Sequence, residues 1–433
     1  MSLKVKWQKS FPHHWEIVPA KRLFPESKAR AAENDEQLSA TQDYGVIPQS
    51  EFMRLAGRRV VQLNSNQHLR KRVEIGDFVI SMRSFQGGLE RAWAEGGIRS
   101  SYVVLKPRAS LILGYYQYLF KSAEYIQALQ STANFIRDGQ DMSYQDFILI
   151  DLPLPPNEEQ FSIAAFLDYE TARIDQLIAK QQQLVELLKE KRQAVISHAV
   201  TKGLNPNAPM KDSGVEWLGQ VPEHWVVSKF GFISSVVRGG SPRPAGDPEL
   251  FDGDYSPWVT VAEITKDDEI YLTETESCLT QKGSQQCRVF PSGTLLLSNS
   301  GATLGVPKIL SINANANDGV VGFEKLNINH EFAYFYLSIL TDNLRERIKQ
   351  GSGQPNLNTD IVKAINIAIP PEREVNAIVD YVHKQRAKFA ELTNKAINTV
   401  DLLQERRTAL ISAAVTGKID LRGWQPPKSE VAA

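Results

Sequence analysis

The chain repeats one stretch, Lys191-Arg-Gln-Ala-Val-Ile-Ser-His-Ala-Val-Thr201, as Arg406-Arg-Thr-Ala-Leu-Ile-Ser-Ala-Ala-Val-Thr416. Seven of the eleven aligned pairs are identical, and the partners of every pair are 215 positions apart. The same separation relates Pro155-Pro156 to Pro370-Pro371. The segment from each proline pair to the following Val-Thr is therefore duplicated without insertions. Such a constant length indicates a rigid element, because loops tolerate insertions.

Both copies of this segment carry the pattern of a long helix. Apolar residues recur at multiples of seven positions with polar residues between them, as in a coiled coil. The first copy has Leu167, Ile174, Leu188 and Val195, supported by Ile163, Leu177 and Leu184; the second has Val382, Phe389, Ala396, Leu403 and Leu410. Gln181 interrupts the first stripe, either to fix the register or as a tolerated polar residue.

Each helix has a natural start and a natural partner. The proline pairs suit a first helical turn, where a backbone N–H needs no internal acceptor. About 45 residues at 1.5 Å each would make rods roughly 65 Å long. Each apolar stripe needs a partner, and the nearest one is the other copy. We therefore expect the two helices to pair antiparallel within the chain.

Shorter repeats precede each helix. Phe11-Pro-His-His-Trp15 corresponds to Val221-Pro-Glu-His-Trp225, and Glu74-Ile-Gly-Asp-Phe-Val-Ile-Ser81 corresponds to Pro291-Ser-Gly-Thr-Leu-Leu-Leu-Ser298. Between these anchors the copies differ almost completely, so the sequence predicts an α+β fold with two unlike globular domains on one constant frame. The predicted domains are 1–154 and 204–369 (globular), 155–203 and 370–418 (helical spacers), and 419–433 (C-terminal tail).

Composition restricts the class of protein. With 433 residues, 42% hydrophobic and 23% charged, the chain is expected to form at least two globular domains. It has no run of eighteen apolar residues, and residues 1–7 lack the apolar region of a signal peptide. We therefore expect a cytoplasmic protein without a membrane span. Cys278 and Cys287 match no metal-site spacing and are expected to be free thiols.

The first globular domain is basic. Residues 1–150 hold 20 Lys and Arg against 15 Asp and Glu, and residues 54–108 hold 11 against 4. Binding to DNA phosphates requires such a surface, and arginine also forms paired hydrogen bonds with guanine. A solvated basic face without a ligand is the alternative. The basic residues include Arg58, Arg59, Arg70, Lys71, Arg72, Arg83, Arg91 and Arg99.

The second globular domain is acidic, with 12 basic and 19 acidic residues between 211 and 360. DNA binding there would need local basic loops, and Asp267-Asp268-Glu269 would have to face away from phosphate. The polar stretches Ser298-Asn-Ser-Gly-Ala-Thr303 and Gly351-Ser-Gly-Gln-Pro-Asn-Leu-Asn358 suit loops that reach base edges, or ordinary turns. The basic candidates are Arg238, Arg243, Lys308, Arg345, Arg347 and Lys349.

Motifs of DNA-modifying enzymes are missing from the sequence. It has no Asn-Pro-Pro-aromatic motif for amino methylation, no Gly-rich cofactor turn and no phosphate loop around Gly417-Lys418. Glu26-Ser-Lys28 lacks the upstream Pro-Asp of a nuclease centre. His13-His14 precedes Trp15 in a repeated element, so packing is favoured over metal binding. We expect a chain with no catalytic site and no metal.

The sequence resembles a known family, the specificity subunits of type I restriction–modification systems, along essentially its whole length. The resemblance lies in Ala199-Val-Thr-Lys-Gly-Leu204, Met210-Lys-Asp-Ser-Gly-Val-Glu-Trp-Leu-Gly219, Pro222-Glu-His-Trp225, Arg238-Gly-Gly-Ser-Pro242 with Pro257-Trp258, Gln42-Asp-Tyr-Gly-Val-Ile-Pro48, Gly351-Ser-Gly-Gln-Pro355 and Val415-Thr-Gly-Lys-Ile-Asp-Leu421. The first domain departs from the pattern because it lacks the Gly-Gly-Ser-Pro element at the corresponding place.

The resemblance implies a non-catalytic subunit with two target-recognition domains, each binding one half of a split double-stranded DNA sequence. Two modification subunits would methylate adenine with S-adenosylmethionine, and restriction subunits would use ATP and Mg²⁺, in a complex that defends against foreign DNA. The specificity chain itself would hold no cofactor. Helices of fixed length would set the gap between half-sites, on the order of one DNA turn. The alternative is a non-catalytic coiled-coil scaffold for protein partners.

Base and phosphate contacts are predicted from residue type and loop position. The predicted DNA-binding residues are Arg58, Arg59, Arg83, Gln86 and Arg91 in the first domain, and Arg243, Asn299, Thr303 and Gln354 in the second.

Overall fold

The computed structural model describes residues 7, 11–57, 59, 69–81, 83–132, 143–301, 303–349 and 356–427, without the side chains of 347–349. The chain forms two compact units, one of residues 1–182 and 397–433 and the other of residues 183–396. The long helices α7 and α15 each contribute to both units. The predicted mixture of helix and strand is confirmed. Among the described residues, no helix has the length and apolar content needed to cross a membrane.

The first unit builds its globular part from short strands and helices. They are β1 (Glu16–Pro19), α1 (Ala20–Leu23), β2 (Glu26–Ser27), β3 (Leu38–Thr41), β4 (Gly45–Pro48), α2 (Gln49–Ala56), β5 (Lys71–Val73), β6 (Phe78–Ile80), α3 (Ser84–Gly87), β7 (Glu90–Arg91), β8 (Gly96–Ile98), β9 (Val103–Leu105), α4 (Leu113–Leu119), α5 (Ala123–Gln130), α6 (Tyr144–Phe147) and β10 (Asp151–Leu154), followed by α7 (Asn157–Lys202).

The second unit follows α7 and precedes α15. It contains β11 (Met210–Asp212), β12 (Gln220–Pro222), β13 (Val226–Lys229), α8 (Phe230–Ile233), β14 (Ser235–Arg238), α9 (Pro248–Phe251), β15 (Ser256–Val259), α10 (Val261–Thr265), β16 (Tyr271–Leu272), β17 (Cys278–Leu279), α11 (Gln281–Ser284), β18 (Val289–Phe290), β19 (Leu295–Ser298), β20 (Pro307–Leu310), β21 (Ala314–Ala316), β22 (Val320–Glu324), α12 (His330–Ser338), α13 (Thr341–Lys349), α14 (Thr359–Lys363) and β23 (Asn366–Ile369), followed by α15 (Glu372–Val415).

The two globular parts share one strand arrangement. The largest sheet of the second unit has the order β14-β22-β19-β20-β16, and the corresponding sheet of the first unit has the order β2-β9-β6-β7. In each unit, the strand before the first short helix pairs with the strand that leads into a long helix: β1 with β10, and β13 with β23. The duplication therefore extends to the globular parts, although few of their residues match.

The long helices are antiparallel, as predicted. In the first unit, Ile163 and Leu167 near the start of α7 share an apolar core with Ile411 and Val415 near the end of α15. In the second unit, the opposite ends share a core, with Ile196, Ala199 and Val200 of α7 against Val375, Ile378 and Val379 of α15. Their lengths, 46 and 44 residues, agree with the constant length of the repeat.

One detail of the apolar stripe was wrong. Leu177 and Leu184 were expected to support the seam, but they are 41% and 42% exposed. Ile178 and Val185, one position further along, are the half-buried residues. A coiled-coil seam alternates steps of three and four residues, so it has two columns, and the second column passes through Ile178 and Val185 rather than their neighbours.

A tryptophan joins both long helices in each unit. Trp15 Nε1 donates to Glu159 Oε2 (2.8 Å) at the start of α7, and the ring lies against Gly417 just after α15. Trp225 Nε1 donates to Glu374 Oε2 (2.8 Å) at the start of α15, and its ring lies against Gly203 just after α7. Both glycines have a positive φ, +70° and +78°, which ends each helix where the indole packs.

The adjacent histidines belong to the same contacts. His14 Nε2 lies 2.8 Å from Glu159 Oε1, and His224 Nε2 lies 2.8 Å from Glu374 Oε1. Each glutamate therefore binds an indole with one oxygen and an imidazole with the other. The repeated Pro-x-His-Trp element is a structural anchor.

We expect Trp225→Phe to weaken the start of α15. The substitution removes the indole–carboxylate hydrogen bond and part of a buried ring, so the opening free energy of amides in residues 375–382 should fall by about 1–2 kcal/mol. Hydrogen exchange measures this directly. The control is Trp93→Phe, because Trp93 is 48% exposed and its replacement should change stability by less than about 0.5 kcal/mol. Unchanged exchange at α15 in Trp225→Phe would contradict the anchoring role.

Candidate nucleic-acid interface

In the second unit, a polar turn follows β19, and the side chain of Ser298, the last residue of the strand, closes it. Ser298 Oγ donates to the Thr303 carbonyl (2.8 Å) and accepts from the Val306 N–H (2.9 Å). Strand β19 is itself held on both sides, by β20 and β22. The turn therefore has a fixed base inside the sheet, and the exposed Thr303 lies at the sheet edge.

Other polar segments lie at the same edge. Because β14 and β19 both run antiparallel to β22, their ends lie beside the start of β22. The Asn299 N–H donates to the Gly319 carbonyl (2.9 Å), and the backbone of Ser300 pairs with that of Asn356 in an isolated antiparallel β-bridge. Residues 356–358, the described end of the second polar stretch, therefore meet the first stretch. We call this region the second loop surface, which comprises residues 238–243, 299–301, 303, 317–319 and 356–358.

Charges on the second loop surface are largely balanced. Arg238 Nε donates to the Asp318 carbonyl (2.6 Å), and Ser241 Oγ donates to Asp318 Oδ1 (2.8 Å). The Ser241 hydrogen bond, helped by the charges of Arg238 and Arg243, holds the pKa of Asp318 below its usual value. Asp318 therefore stays ionised and offsets part of the positive charge. A side chain at Gly239 would collide with the Asn317 carbonyl, which explains the glycine there.

The first unit has the same edge. The ends of β2 and β6 lie beside the start of β9, because both strands pair antiparallel with β9. A turn of the same form precedes β9 and β22: the Tyr102 N–H donates to the Arg99 carbonyl, and the Val320 N–H donates to the Asn317 carbonyl, both at 3.1 Å. We call residues 28–31, 83–86 and 99–101 the first loop surface.

Strand register makes the two surfaces comparable residue by residue. The pairing of Phe78 with Leu105 corresponds to that of Leu295 with Phe323, since each joins the same two strands and matches the sequence repeat. Continuing the residue count from these pairs past the strand ends gives four corresponding positions: Lys28 with Arg238, Arg30 with Gly240, Arg83 with Ser300, and Arg99 with Asn317.

Each unit buries one ionisable side chain in its main sheet, Glu90 on β7 and Lys308 on β20, at equivalent positions. Glu90 is 2% exposed and accepts from Lys121 Nζ (2.6 Å). Lys308 is 1% exposed and donates to Asp267. It pairs with Leu296 of β19, just as Glu90 pairs with Val79 of β6. Lys308 was considered as a DNA contact, but this burial makes it unavailable, because its ammonium is enclosed and already paired.

The predicted site residues have different environments. Arg59, Arg83 and Gln86 are exposed in the first unit. Arg91 is half-buried, donates to Gln117 Oε1 (2.9 Å) and lies 4.5 Å over the Trp93 ring. Arg243 and Thr303 are exposed in the second unit, where the Arg243 N–H donates to Gln286 Oε1. Arg58 and Gln354 lie outside the described residues.

Asn299 differs from the other predicted contacts. It is fully buried, and neither its Oδ1 nor its Nδ2 has a hydrogen-bond partner within the described ranges. The neighbouring Ser300 and Thr303 are the accessible polar residues of this turn. The role of all these side chains in binding DNA stays a prediction.

Several basic residues of the first unit are used internally. Arg70 is 6% exposed and donates to the carbonyls of Asp35 (2.9 Å) and Glu33 (3.0 Å). Arg72 forms ion pairs with Asp35 (2.7 Å) and Glu95 (2.8 Å). The charge count of residues 54–108 therefore overstates the positive charge that this unit presents to a ligand.

The acidic cluster of the second unit is likewise engaged. Besides the contact of Asp267 with Lys308, Asp268 Oδ2 lies 3.2 Å from Arg192 of α7, and its carbonyl accepts from Arg386 of α15 (2.9 Å). Two arginines from the long helices are thus held by one turn of the globular part. Asp268 and Glu269 nevertheless remain exposed. The turn leads into β16, whose start lies at the same sheet edge as the end of β19, so its remaining negative charge counts against an anionic ligand there.

Within the described ranges, no group of three or more His, Cys, Asp or Glu side chains is arranged to hold a metal ion. The arrangement offers hydrogen-bond donors and positive charge at two sheet edges. The sequence did not predict Lys28, Arg30, Ser300 or Asn317 individually as DNA contacts, because only strand pairing shows that they join Arg83 and Arg99 or their counterparts. Ser300 does lie within a polar stretch that the sequence indicated. Their positions directly after or before strands were the available indication.

Comparison with known proteins identifies the second half of the chain. Residues 222–402 match the family described as type I restriction modification DNA specificity domain. The type I restriction enzyme EcoKI specificity subunit of Escherichia coli K12 is 26% identical over 318 residues, which are 68% of this chain and 63% of that protein. The MjaIX specificity subunit of Methanocaldococcus jannaschii is 30% identical over 167 residues, 37% and 38% of the two chains. These matches span less than two thirds of either relative.

Solved structures show the same fold over nearly the whole chain. A chain from a study of the complex assembly and conformational transition of the type I R-M system superposes with a TM-score of 0.71 and 14% identity, covering 94% of this chain and 99% of that one. The HsdS subunit from Thermoanaerobacter tengcongensis superposes with a TM-score of 0.56 and 16% identity, covering 94% and 98%.

We expect Ser298→Ala to loosen the turn of the second loop surface. Loss of the hydroxyl leaves the Val306 N–H without its acceptor, so the opening free energy of amides 303–306 should fall by about 1–3 kcal/mol. Hydrogen exchange of the full chain tests this. Ser300→Ala is the matched control, because the Ser300 hydroxyl has no hydrogen-bond partner in the described part of the chain. Equal protection in both variants would show that other contacts hold the turn.

The buried Glu90 predicts a pH-dependent stability. Burial, opposed by Lys121, raises the pKa of Glu90 to about 7. The folded state therefore binds a proton that the unfolded state releases above its ordinary pKa of 4.5, so stability falls as pH rises from 4.5 to 7. Glu90→Gln should remove a fall on the order of 3 kcal/mol, measured by urea unfolding across this range. An unchanged pH profile would assign the effect to another group.

Proposed function

We propose that this chain, a member of the type I restriction–modification specificity subunit family, recognises a bipartite and asymmetric DNA sequence with one loop surface for each half-site. The observation that carries the proposal is the pair of equivalent sheet edges, which present different polar side chains on the same strand frame. A repeated frame suits two approaches to one duplex, and unlike side chains suit unlike sequences.

The electrostatics of the described residues are compatible with this role. The first loop surface has four exposed cationic side chains, those of Lys28, Arg30, Arg83 and Arg99. Positive charge of this kind supplies the phosphate contacts on which DNA affinity depends. At the second loop surface, Arg238 and Arg243 are exposed. In the acidic turn at 267–269, Asp267 pairs with Lys308 and Asp268 pairs with Arg192.

The proposed complex divides recognition from chemistry. The chain would dock two modification subunits, which methylate adenine with S-adenosylmethionine, and restriction subunits, which use ATP and Mg²⁺. The long helices, present in both units, are the proposed frame for these partners. The chain itself would bind no cofactor and catalyse no step, and the complex would act in the cytoplasm.

The proposal predicts binding that depends on both half-sites. The target is first mapped as the sequence around methylated adenines in the host genome, and the complex is then tested on duplexes with both halves intact, one half scrambled or both scrambled. The intact duplex should bind at least about 10³-fold more tightly than the doubly scrambled one. Each single scramble should give an intermediate affinity, and log affinity should fall linearly with log salt concentration.

The alternative function, a coiled-coil scaffold for protein partners, predicts a different result. A scaffold would show no methylated motif and equal, weak binding to all four duplexes. Such a result would reject the DNA-recognition proposal. Loss of binding on scrambling only one particular half would reject the bipartite part of it, since one loop surface would then suffice.

A further inference from the structure

The two loop surfaces differ in charge at equivalent positions. Arg83 of the first surface stands where the second has Ser300, and Arg99 stands where the second has Asn317. Both arginines are exposed and form no ion pair or hydrogen bond through their side chains within the described residues. Two guanidinium groups are therefore available at one edge of the first unit, and neutral groups occupy the same places in the second.

A second pair of positions shows the same trend. Lys28 and Arg30 follow β2, whereas Arg238 and Gly240 occupy these positions after β14. Arg238 is tied to the Asp318 carbonyl, and the Asp318 carboxylate lies beside it. In the first unit, Arg30 Nη1 likewise donates to a carbonyl, that of Leu69 (2.6 Å). At the four equivalent positions, the first unit thus has four cations, and the second has one, which lies beside the carboxylate of Asp318.

Arginine, asparagine and serine bind different base edges, so unlike side chains at equivalent positions indicate unlike DNA sequences. Arginine forms two parallel hydrogen bonds with guanine O6 and N7, the commonest specific contact in the major groove. Asparagine forms a corresponding pair with adenine N6 and N7, and serine binds several bases. In both units the turn that carries Arg99 or Asn317 is closed by the same backbone hydrogen bond, and in the second unit Asn317 Oδ1 also accepts from the Gly319 N–H (3.1 Å). The two turns therefore present different side chains on a similar backbone.

We propose that the first unit recognises a half-site that contains guanine, through Arg83 and Arg99, and that the second unit recognises its half-site through neutral amide and hydroxyl groups without an arginine–guanine contact at these positions. This inference rests on the proposed function and adds the base chemistry of each half-site. It assigns specificity to Arg99, Ser300 and Asn317, in addition to Arg83.

The test replaces each arginine by its counterpart from the second unit. Arg83→Ser and Arg99→Asn are introduced separately into the full chain within its complex, and the sequences bound are selected from duplexes randomised in both half-sites. Wild type should select guanine at one or more positions of one half-site. Each variant should lose about 5- to 150-fold in discrimination against the other bases at one such position. Selection in the other half-site should not change.

A charge-matched control separates base recognition from general electrostatics. Arg54→Ser removes an exposed arginine of the same unit on α2, outside the loop surface, and should leave the selected sequence unchanged. Retained selection at the other positions of the first half-site shows that the first unit of each test variant is folded.

Three results would overturn the inference while leaving the proposed function intact. The first is that the altered half-site contains no guanine. The second is that neither variant changes any selected base. The third is that both variants weaken binding to all duplexes by the same factor, which is the result expected of phosphate contacts. If the wild-type complex selects no bipartite sequence at all, the proposed function itself fails.

Discussion

The hydrogen bond between a tryptophan and a glutamate organises both halves of this protein. Each indole donates to a carboxylate in the first turn of one long helix and packs on the glycine that ends the other. A hydrogen bond to a charged acceptor is worth about 1.5–3 kcal/mol, less where the carboxylate is partly exposed. Its position matters more than its strength, because one side chain lies directly before a strand, β1 or β13, and contacts the start of one helix and the end of the other. Everything beyond β1 and β13 is built from that junction.

From this junction outward, the two units keep the backbone and change the side chains. Three backbone features are repeated. They are the strand order of the main sheet, the turn before β9 or β22, and the pairing of β1 with β10 or β13 with β23. Core positions accept any apolar residue that fills the space, and turn positions are held by backbone hydrogen bonds, so neither constrains the exposed residues at the sheet edge. This separation explains how one frame carries surfaces as different as Arg83 with Arg99 and Ser300 with Asn317.

The sequence predicted the features that depend on local pattern and failed where distant residues decide. Proline pairs and seven-residue spacing were sufficient for the two helices and their antiparallel pairing. The same spacing placed Leu177 and Leu184 in the seam, where the structure has Ile178 and Val185. The steps along a seam alternate between three and four residues, and the second column follows a step of four from Ile174. Charge counting indicated a basic first domain, yet Arg70 and Arg72 bind Asp35, Glu33 and Glu95 within the unit. Lys308 looked accessible until strand pairing placed it inside a sheet. Which exposed residues share an edge follows from strand register, and no sequence window contains that information.

The buried charges behind the two surfaces restrict how such a chain can be recombined. Glu90 depends on Lys121, 31 residues later, and Lys308 depends on Asp267, 41 residues earlier, although the two strands that carry them are equivalent. A crossover that exchanged only β7 and β20 would place two acids together without a base in one unit and two bases together without an acid in the other. Viable exchange must carry a whole globular segment with both members of its pair. The helices α7 and α15 lie outside both pairs, so a crossover within a helix would keep each acid with its base.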